Sequence, residues 1–275
     1  MRRFSFSLAV PLFVWVAAGF APAEPILGVN FITSAHAQGQ PAAAQSGENN
    51  VAGAAPTLKV LFIGNSYTYY NDMPKMLAAL AASSTRPGRI QVKEITQGRA
   101  TLDQLWGYRP TKYAISDEKW DFVVLQEQSA LPTTDPERMY KAGREIDAEV
   151  KKAGARTVLF LTWAYRGESQ MQASLNRAYG KLAQELGAVL APVGPAWQIA
   201  LGRDPKIPLY DSDGSHPSPT GSYLAACVFY LALLESRQPC PSPQNGEVSP
   251  QYAATARAAA VEAMSVNPAI LIEWK

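Results

Sequence analysis

A short apolar run that ends in a turn signal constrains the fold of this chain more than any other feature. Residues 60–63 are all apolar, and Gly64, Asn65 and Ser66 follow them. A run of this length before a turn predicts a strand that is buried on both faces, as in a parallel sheet. Ser66 would then lie where the strand ends and the chain turns toward a helix, at the edge where open α/β sheets bind their ligands.

Strand patterns alternate with helical patterns along the rest of the chain. Further strands are predicted at residues 90–95, 122–125, 157–161 and 188–192, and helices are predicted to begin near residues 73, 102, 136, 169, 220 and 251. Such alternation indicates right-handed crossovers between parallel strands. The sequence therefore predicts an α/β protein, a three-layer α/β/α sandwich with a parallel sheet of about five strands.

The overall composition favours a single globular domain. The chain has 275 residues, of which 47% are hydrophobic and 17% are charged, and its formal net charge is +2. These proportions are ordinary for a folded domain. The small net charge, together with the lack of a long lysine or arginine tract, argues against nucleic acid as a partner.

The start of the chain has the pattern of an export signal. Arg2 and Arg3 precede an apolar stretch at residues 4–20, and Ala-His-Ala at residues 35–37 forms a cleavage site. Ala-Pro-Ala at residues 21–23 is an alternative cleavage site. Prolines interrupt the apolar stretch, so no stable membrane span is expected.

Three segments follow from this pattern. Residues 1–37 are predicted to be a signal peptide, and residues 38–56, rich in Ala, Gly, Gln, Asn and Pro, are predicted to be a flexible linker. Residues 57–275 are predicted to form the folded domain. The mature protein is expected to be exported by a bacterium, into the periplasm or out of the cell. The Sec and twin-arginine routes are both compatible with the paired arginines.

The two cysteines, Cys227 and Cys240, leave two readings open. Export makes a disulfide chemically possible, but spacing alone does not supply the required separation of the Cα atoms. One buried thiol and one loop thiol are the alternative. Outside the predicted signal peptide the chain has one histidine, and the two cysteines are distant from it in sequence, so a zinc site of the usual type is not expected. We expect no metal and no cofactor.

Histidine content narrows the search for a base that could activate Ser66. The chain has two histidines, His36 within the predicted signal and His216. Asp213 precedes His216 by three residues, and Asp-x-x-His around a turn lets the carboxylate accept a hydrogen bond from Nδ1–H, leaving Nε2 to take the serine proton. Ser66, His216 and Asp213 are therefore the candidate catalytic residues. A serine that caps a turn and an exposed histidine are the structural alternative.

These residues resemble the motifs of the SGNH, or GDSL-type, hydrolase family. The first family block is a Gly-Asp-Ser-Leu-like turn after the first strand, and residues 64–67 read Gly-Asn-Ser-Tyr here. The last block is Asp-x-x-His, and residues 213–216 read Asp-Gly-Ser-His. The resemblance implies an SGNH/flavodoxin-like sandwich and a serine esterase. Ser66 would be its nucleophile, His216 its general base and acid, and Asp213 the residue that orients the histidine.

The same resemblance implies an oxyanion hole. The second family block contributes a glycine N–H, and Gly98 occupies that place. The third block contributes an asparagine side chain, but residues 126–129 read Gln-Glu-Gln-Ser. A glutamine amide donates the same kind of hydrogen bond. The predicted donors are the N–H groups of Ser66 and Gly98 and the amide of Gln126, with Gln128 as the alternative.

The substrate class is predicted only in outline. The resemblance implies a small-molecule or carbohydrate ester, such as an acetyl group on a sugar. Tyr67 and Trp163 belong to a group of aromatic residues near the predicted strand ends, where they could line a substrate pocket or simply pack helices on the sheet. A lipase or thioesterase of the same fold is the alternative enzyme. A carbohydrate-binding module without catalysis is the alternative from another class.

Overall fold

The computed structural model describes residues 57–84, 89–236, 238–243 and 246–265. The predicted signal peptide and linker lie outside these residues. The described chain contains five strands, which are β1 (Thr57–Gly64), β2 (Arg89–Thr96), β3 (Phe122–Leu125), β4 (Arg156–Leu161) and β5 (Val189–Pro192).

Ten α-helices and one short 3-10 turn, Tyr70–Asp72, are present in the same described ranges. The helices are α1 (Ser66–Tyr69), α2 (Met73–Ser83), α3 (Leu102–Gly107), α4 (Arg109–Ser116), α5 (Leu131–Thr134), α6 (Pro136–Lys152), α7 (Ser169–Leu186), α8 (Val193–Arg203), α9 (Pro219–Leu233) and α10 (Pro250–Ser265). The side chains of Asp135 and Ser218 cap the starts of α6 and α9 by accepting backbone N–H bonds, as these residue types commonly do.

The sheet is parallel throughout, with the strand order β2-β1-β3-β4-β5. In its register, Gly64 pairs with Thr96 and Ile63 pairs with Leu125, so β1, β2 and β3 end side by side. The segments that follow these three strands therefore meet at one edge of the sheet. The predicted α/β fold, a parallel five-stranded sheet between helices, is confirmed.

The two faces of the sheet are covered by separate hydrophobic layers. Along β1, Val60 and Phe62 pack into the layer formed by α2, α8, α9 and α10, whereas Leu61 and Ile63 pack into the layer formed by α3, α4, α6 and α7. This alternation is what a strand buried on both faces requires. Helix α9 is buried from residue 220 to residue 233, as its continuous apolar sequence predicts.

Two features go beyond the sequence analysis. Helix α8 begins directly after β5, where no helix was predicted. Cys227 on α9 is joined to Cys240 by a disulfide, with the two Cα atoms 5.3 Å apart. This bond decides between the two alternatives left open by the sequence. Among the described residues, no helix is both long and apolar enough to cross a membrane.

Candidate active site

Ser66 lies at the sharp turn from β1 into α1. It is the first residue of the helix and is 8% exposed. Asn65 is the N-cap residue, and its side-chain oxygen accepts a hydrogen bond from the N–H of Tyr67 at 3.1 Å. The turn therefore fixes the backbone of Ser66 at the carboxyl edge of the sheet and keeps its hydroxyl partly accessible.

A continuous chain of hydrogen bonds connects Ser66, His216 and Asp213. The hydroxyl of Ser66 lies 2.8 Å from Nε2 of His216, and Nδ1 of His216 lies 2.5 Å from Oδ2 of Asp213. The hydrogen bond from His216 is the main reason why the pKa of Asp213 falls to about 2. An ionised Asp213 can only accept, so Nδ1 carries the hydrogen and Nε2 faces the serine as an acceptor.

The backbone of the same loop holds Asp213 in place. Oδ1 of Asp213 accepts hydrogen bonds from the N–H groups of Ser215 and His216, at 2.8 and 2.9 Å. The Asp-x-x-His spacing thus closes a tight turn in which one carboxylate oxygen binds backbone and the other binds the imidazole. The structure brings together all three residues that the sequence proposed for catalysis.

Tyr67 and Trp163 lie beneath this loop, and their placement corrects the expectation that they line a substrate pocket. Tyr67 is 3% exposed, Trp163 is fully buried, and their rings stack with centroids 4.6 Å apart. The hydroxyl of Tyr67 lies 2.7 Å from Oγ of Ser215, and Nε1 of Trp163 donates to the carbonyl oxygen of Ser215 at 3.0 Å. They support the backbone beside His216 instead of facing a ligand.

The ring of Tyr70 stacks on the imidazole of His216, a contact that sequence analysis missed. Asn71 and Asp72, which follow it, have φ angles of 53° and 51°, in the left-handed region that non-glycine residues rarely occupy. Nδ2 of Asn71 donates to the carbonyl oxygen of Pro217 and to Oγ of Ser222, each at 2.9 Å. These bonds hold the turn against the loop that carries His216, in a conformation that Asn and Asp adopt more readily than other residues with a side chain.

The position of Gln126 corrects the preferred oxyanion assignment. Its Oε1 accepts hydrogen bonds from the N–H of Asn65 and the hydroxyl of Thr68, at 2.8 and 2.9 Å. Because the N–H of Asn65 can only donate, this contact fixes the orientation of the amide. Nε2 then donates to Oδ1 of Asn65 at 2.9 Å and to the carbonyl oxygen of Glu127 at 2.5 Å. Both amide hydrogens of this fully buried side chain are therefore occupied, and none is left for an oxyanion.

Gly64 makes this arrangement of Gln126 possible. A Cβ atom at residue 64 would lie 2.6 Å from Oε1 of Gln126 and 2.6 Å from Oγ1 of Thr68. Both separations are shorter than real carbon–oxygen contacts. The glycine in the Gly-Asn-Ser motif is thus needed because a glutamine side chain packs directly against its Cα.

Three hydrogen-bond donors at this edge are still available to a ligand. In the described part of the chain, the N–H groups of Ser66 and Gly98 have no acceptor. Gln128 anchors its Oε1 on the N–H groups of Ala130 and Leu131, and its Nε2 makes one long contact, 3.3 Å, to Oγ of Ser129. The glutamine that sequence analysis ranked second is therefore the one that retains a free amide hydrogen.

Glu127, between the two glutamines, is fully buried. Burial raises the pKa of its carboxyl to about 7. Its Oε1 accepts hydrogen bonds from the N–H groups of Leu102 and Gln128, at 3.0 and 2.6 Å. Its Oε2 has no hydrogen-bond partner among the described atoms. Sequence analysis did not predict that Glu127 would be buried or that it would bind these two backbone N–H groups.

No group of three or more His, Cys, Asp or Glu side chains in the described ranges is arranged to bind a metal ion. The groups that the structure places at this edge are the hydroxyl of Ser66, the imidazole of His216 and several N–H donors. These groups are suited to attack on a carbonyl carbon, because they supply both the nucleophile and donors for the oxyanion that the attack creates.

Comparison with solved structures finds proteins of the same fold. A protein from Slackia heliotrinireducens, assigned to the SGNH hydrolases, is 33% identical with a TM-score of 0.57, and the match covers 65% of this chain and 100% of that chain. A DUF4886 family protein from Bacteroides uniformis is 22% identical with a TM-score of 0.62, covering 76% and 95% of the two chains. A mutant acetyl-xylooligosaccharide esterase from Geobacillus Stearmophilus is 16% identical with a TM-score of 0.51, covering 65% and 93%.

No family model matches the sequence, and no match is found among curated proteins. The relationship to the Slackia protein nevertheless extends over the whole length of that protein at one third identity. The other two similarities concern the fold alone. On the evidence of that full-length match and of the shared fold, this chain belongs to the SGNH, or GDSL-type, hydrolase family.

Proposed function

We propose that the protein is a serine esterase that hydrolyses an acyl ester by means of Ser66, His216 and Asp213. The observation that carries this proposal is the chain of hydrogen bonds from Ser66 Oγ to His216 Nε2 and from His216 Nδ1 to Asp213. The export pattern at residues 1–37 supports a second part of the proposal, that the enzyme acts in the bacterial periplasm or outside the cell.

The geometry suggests a two-step reaction. Ser66 Oγ attacks the carbonyl carbon while Nε2 of His216 takes the hydroxyl proton, and the imidazolium then gives that proton to the leaving alcohol oxygen. This leaves an acyl group on Ser66. In the second step, His216 takes a proton from water, the resulting hydroxide attacks the acyl carbon, and the proton returns to Ser66 as the acid is released. Asp213 keeps Nδ1 protonated and stabilises the imidazolium.

The oxyanion of each tetrahedral intermediate needs donors aimed at it. We assign this role to the N–H groups of Ser66 and Gly98 together with Nε2 of Gln128. The free hydrogens of these groups support the assignment. Gln126 instead holds the nucleophile turn together, through Asn65 and Thr68. Preorganised donors of this kind contribute most because they need no rearrangement when charge develops.

For the substrate, we favour an acetyl ester on a carbohydrate. One protein of the same fold is by name an acetyl-xylooligosaccharide esterase. Tyr69, 37% exposed, lies close to Gly98, since a Cβ at Gly98 would be 3.2 Å from its hydroxyl. An exposed aromatic ring beside the oxyanion donors offers a surface on which a sugar can stack. Lipase or thioesterase activity on the same fold is the alternative.

Hydrolysis of p-nitrophenyl acetate by the mature protein tests the proposal. We expect turnover that falls by roughly 10⁴-fold or more in Ser66→Ala. Ser83→Ala, which removes a hydroxyl from α2 away from His216, is the matched control and should keep wild-type turnover. A wild-type protein that binds oligosaccharides without any turnover would instead establish the non-catalytic alternative.

The substrate class is tested on the same preparations. Acetylated xylooligosaccharides, p-nitrophenyl palmitate and an acetyl thioester represent the three candidate classes, and the released acid is measured for each. Preference for the acetylated sugar supports our assignment, whereas preference for the palmitate or the thioester contradicts it. The N-terminal residue of the protein recovered from the periplasm or medium tests export.

A further inference from the structure

The turn that carries Gly98 is held by side chains from the two neighbouring strand ends. It connects β2 to α3 and includes Arg99, whose φ of 64° is unusual for a residue with a side chain. On one side, Nδ2 of Asn65 donates to the carbonyl oxygen of Ala100 at 3.0 Å. On the other, Oε1 of Glu127 accepts the N–H of Leu102 at 3.0 Å. A strained turn therefore has one polar anchor on each flank.

Glu127 also contacts the segment that carries Gln128, the other residue to which we assign an oxyanion donor outside the nucleophile turn. The same Oε1 accepts the N–H of Gln128 at 2.6 Å. Leu102 is the first residue of α3, where a backbone N–H has no partner within the helix, so the carboxyl supplies the missing acceptor. A single oxygen atom thus binds both segments that contribute oxyanion donors in the proposed mechanism.

Burial makes this contact costly for the fold, which suggests a role beyond stability. Glu127 is fully buried, and its Oε2 has no partner in the described structure. A buried carboxyl with one unpaired oxygen destabilises a protein unless its other contacts compensate. An apolar side chain of similar size would pack here without that penalty, but it would leave the N–H groups of Leu102 and Gln128 without an acceptor.

We propose that Glu127 is a positioning residue for the oxyanion hole, because its carboxyl joins the segment that carries Gly98 to the segment that carries Gln128. This inference rests on the proposed function. Glu127 does not contact the substrate. It fixes the spacing of two donors that must converge on one oxygen atom, and a displacement of about 1 Å in such a constellation can lower the rate roughly a hundredfold.

Steady-state kinetics of three variants test the inference on an acetyl ester. Glu127→Leu keeps the volume and removes the acceptor, so kcat should fall by roughly tenfold to a hundredfold with KM nearly unchanged. Glu127→Gln keeps one acceptor oxygen and should restore most of the lost kcat. Asp147→Ala is the matched control. Asp147 is a buried acidic residue on α6 that accepts a hydrogen bond from Thr157. Thr157 is at the start of β4, at the end of the parallel strands opposite to Ser66. Asp147→Ala should lower thermal stability but leave kcat unchanged.

A second pair of variants keeps the test decisive if Glu127→Leu does not fold. Leu102→Pro removes the donated N–H at a helix position where proline is tolerated, and Thr101 before it already has an extended backbone. Leu102→Ala removes a similar amount of side chain but keeps that N–H. We expect kcat of the proline variant to be at least about fivefold below that of the alanine variant, because only the former loses the bond to Glu127.

The outcomes separate this inference from the proposed function. Absence of turnover in the wild-type protein contradicts both. Turnover that depends on Ser66 but is unchanged in folded Glu127→Leu, or equal in the two Leu102 variants, overturns the positioning role alone. A loss of kcat in Asp147→Ala as large as that in Glu127→Leu also overturns it, because any buried carboxylate would then have the same effect.

Discussion

The ring of Tyr70 stacks on the ring of His216, with centroids 4.2 Å apart and planes inclined by 15°. When His216 takes the serine proton it becomes a cation, and the face of an aromatic ring attracts a cation by about 0.5–2 kcal/mol. Tyr70→Leu should therefore lower kcat by roughly twofold to thirtyfold. Tyr70→Phe keeps the ring face and should stay close to wild type. Equal turnover in the leucine and phenylalanine variants would contradict an electrostatic role for the stack.

Asp213 provides a second prediction. Asp213→Asn keeps the shape of the side chain but allows the wrong histidine tautomer, so kcat should fall by about 10⁴-fold. The pKa of Asp213 is about 2, so the wild-type carboxylate stays ionised over about pH 6–9 and its own titration adds no pH dependence to the rate in that range. A kcat of folded Asp213→Asn within about tenfold of wild type would contradict the orienting role of the carboxylate.

The stability effect of Asp213 has a definite sign. A carboxyl whose pKa is lowered by folding stabilises the folded state at pH values above its unfolded pKa. That contribution is lost as the pH falls through the folded value, about 2. The difference in Tm between wild type and Asp213→Asn should thus shrink on acidification. Thermal unfolding followed by circular dichroism at several pH values measures it.

Alanine variants of the two glutamines after β3 are predicted to lose different properties, mainly stability for Gln126→Ala and mainly turnover for Gln128→Ala. Gln126→Ala leaves the buried N–H of Asn65 without an acceptor, which should cost about 1–3 kcal/mol of stability. Gln128→Ala removes an acceptor from the partly buried N–H groups of Ala130 and Leu131, so it should lose less stability than Gln126→Ala. Its turnover should fall by about 10²- to 10³-fold, the usual effect of removing one oxyanion donor. Thermal melts and kcat values of both variants provide the test. The assignment is reversed if Gln128→Ala keeps its turnover while folded Gln126→Ala loses it.

Glu127 should make stability depend on pH in the direction opposite to Asp213. Burial raises its pKa to about 7, although the hydrogen bonds that it accepts from the N–H groups of Gln128 and Leu102 act in the lowering direction. Stability is therefore greatest below the unfolded pKa and declines as the pH rises through about 7, by about 3 kcal/mol in total. Glu127→Gln has no such titration. Its Tm relative to wild type should be higher at about pH 8.5 than at about pH 5.

The disulfide between Cys227 and Cys240 should stabilise the fold measurably. The two residues are 13 apart in sequence, and closing a loop of that size contributes about 3 kcal/mol by restricting the unfolded chain. The double variant Cys227→Ala, Cys240→Ala should have a lower free energy of unfolding by about that amount. Wild type in a thiol reductant provides an independent check. A free energy of unfolding that is identical with and without the bond would contradict the prediction.

Most of the fold could be predicted from the sequence because strand ends are marked by local signals. Helix α8 was missed because Gly194 and Pro195 at its start look like a loop. In the structure, Pro195 occupies the first turn, where its missing N–H has no consequence. Gly194 is required by packing, since a Cβ there would lie 2.1 Å from the carbonyl oxygen of Thr162. Thr162 follows β4 and lies 32 residues before Gly194 in the chain, so no local pattern reveals this contact.

The candidate catalytic residues could be predicted because few residue types can act as nucleophile or base. The partners and burial of the surrounding side chains could not be predicted, because they depend on how distant segments pack. Ser66 was identifiable because it follows the first predicted strand, and His216 and Asp213 because only one histidine lies outside the predicted signal peptide. Strand alternation could place Gln126 on a face of the sheet, but it could not reveal that Asn65 and Thr68 would occupy its amide. The burial of Tyr67 and Trp163 likewise depends on the catalytic loop folding over them, which occurs some 150 residues after β1.

The bond between Ser66 and His216 joins residues 150 apart in the chain. Contacts of such long range form late, because the chain between them must be ordered before the contact contributes any stability. All four crossovers of the sheet lie between these two residues. In the proposed mechanism, the serine lacks its base for as long as the sheet is incomplete, so a partly folded chain would have no esterase activity.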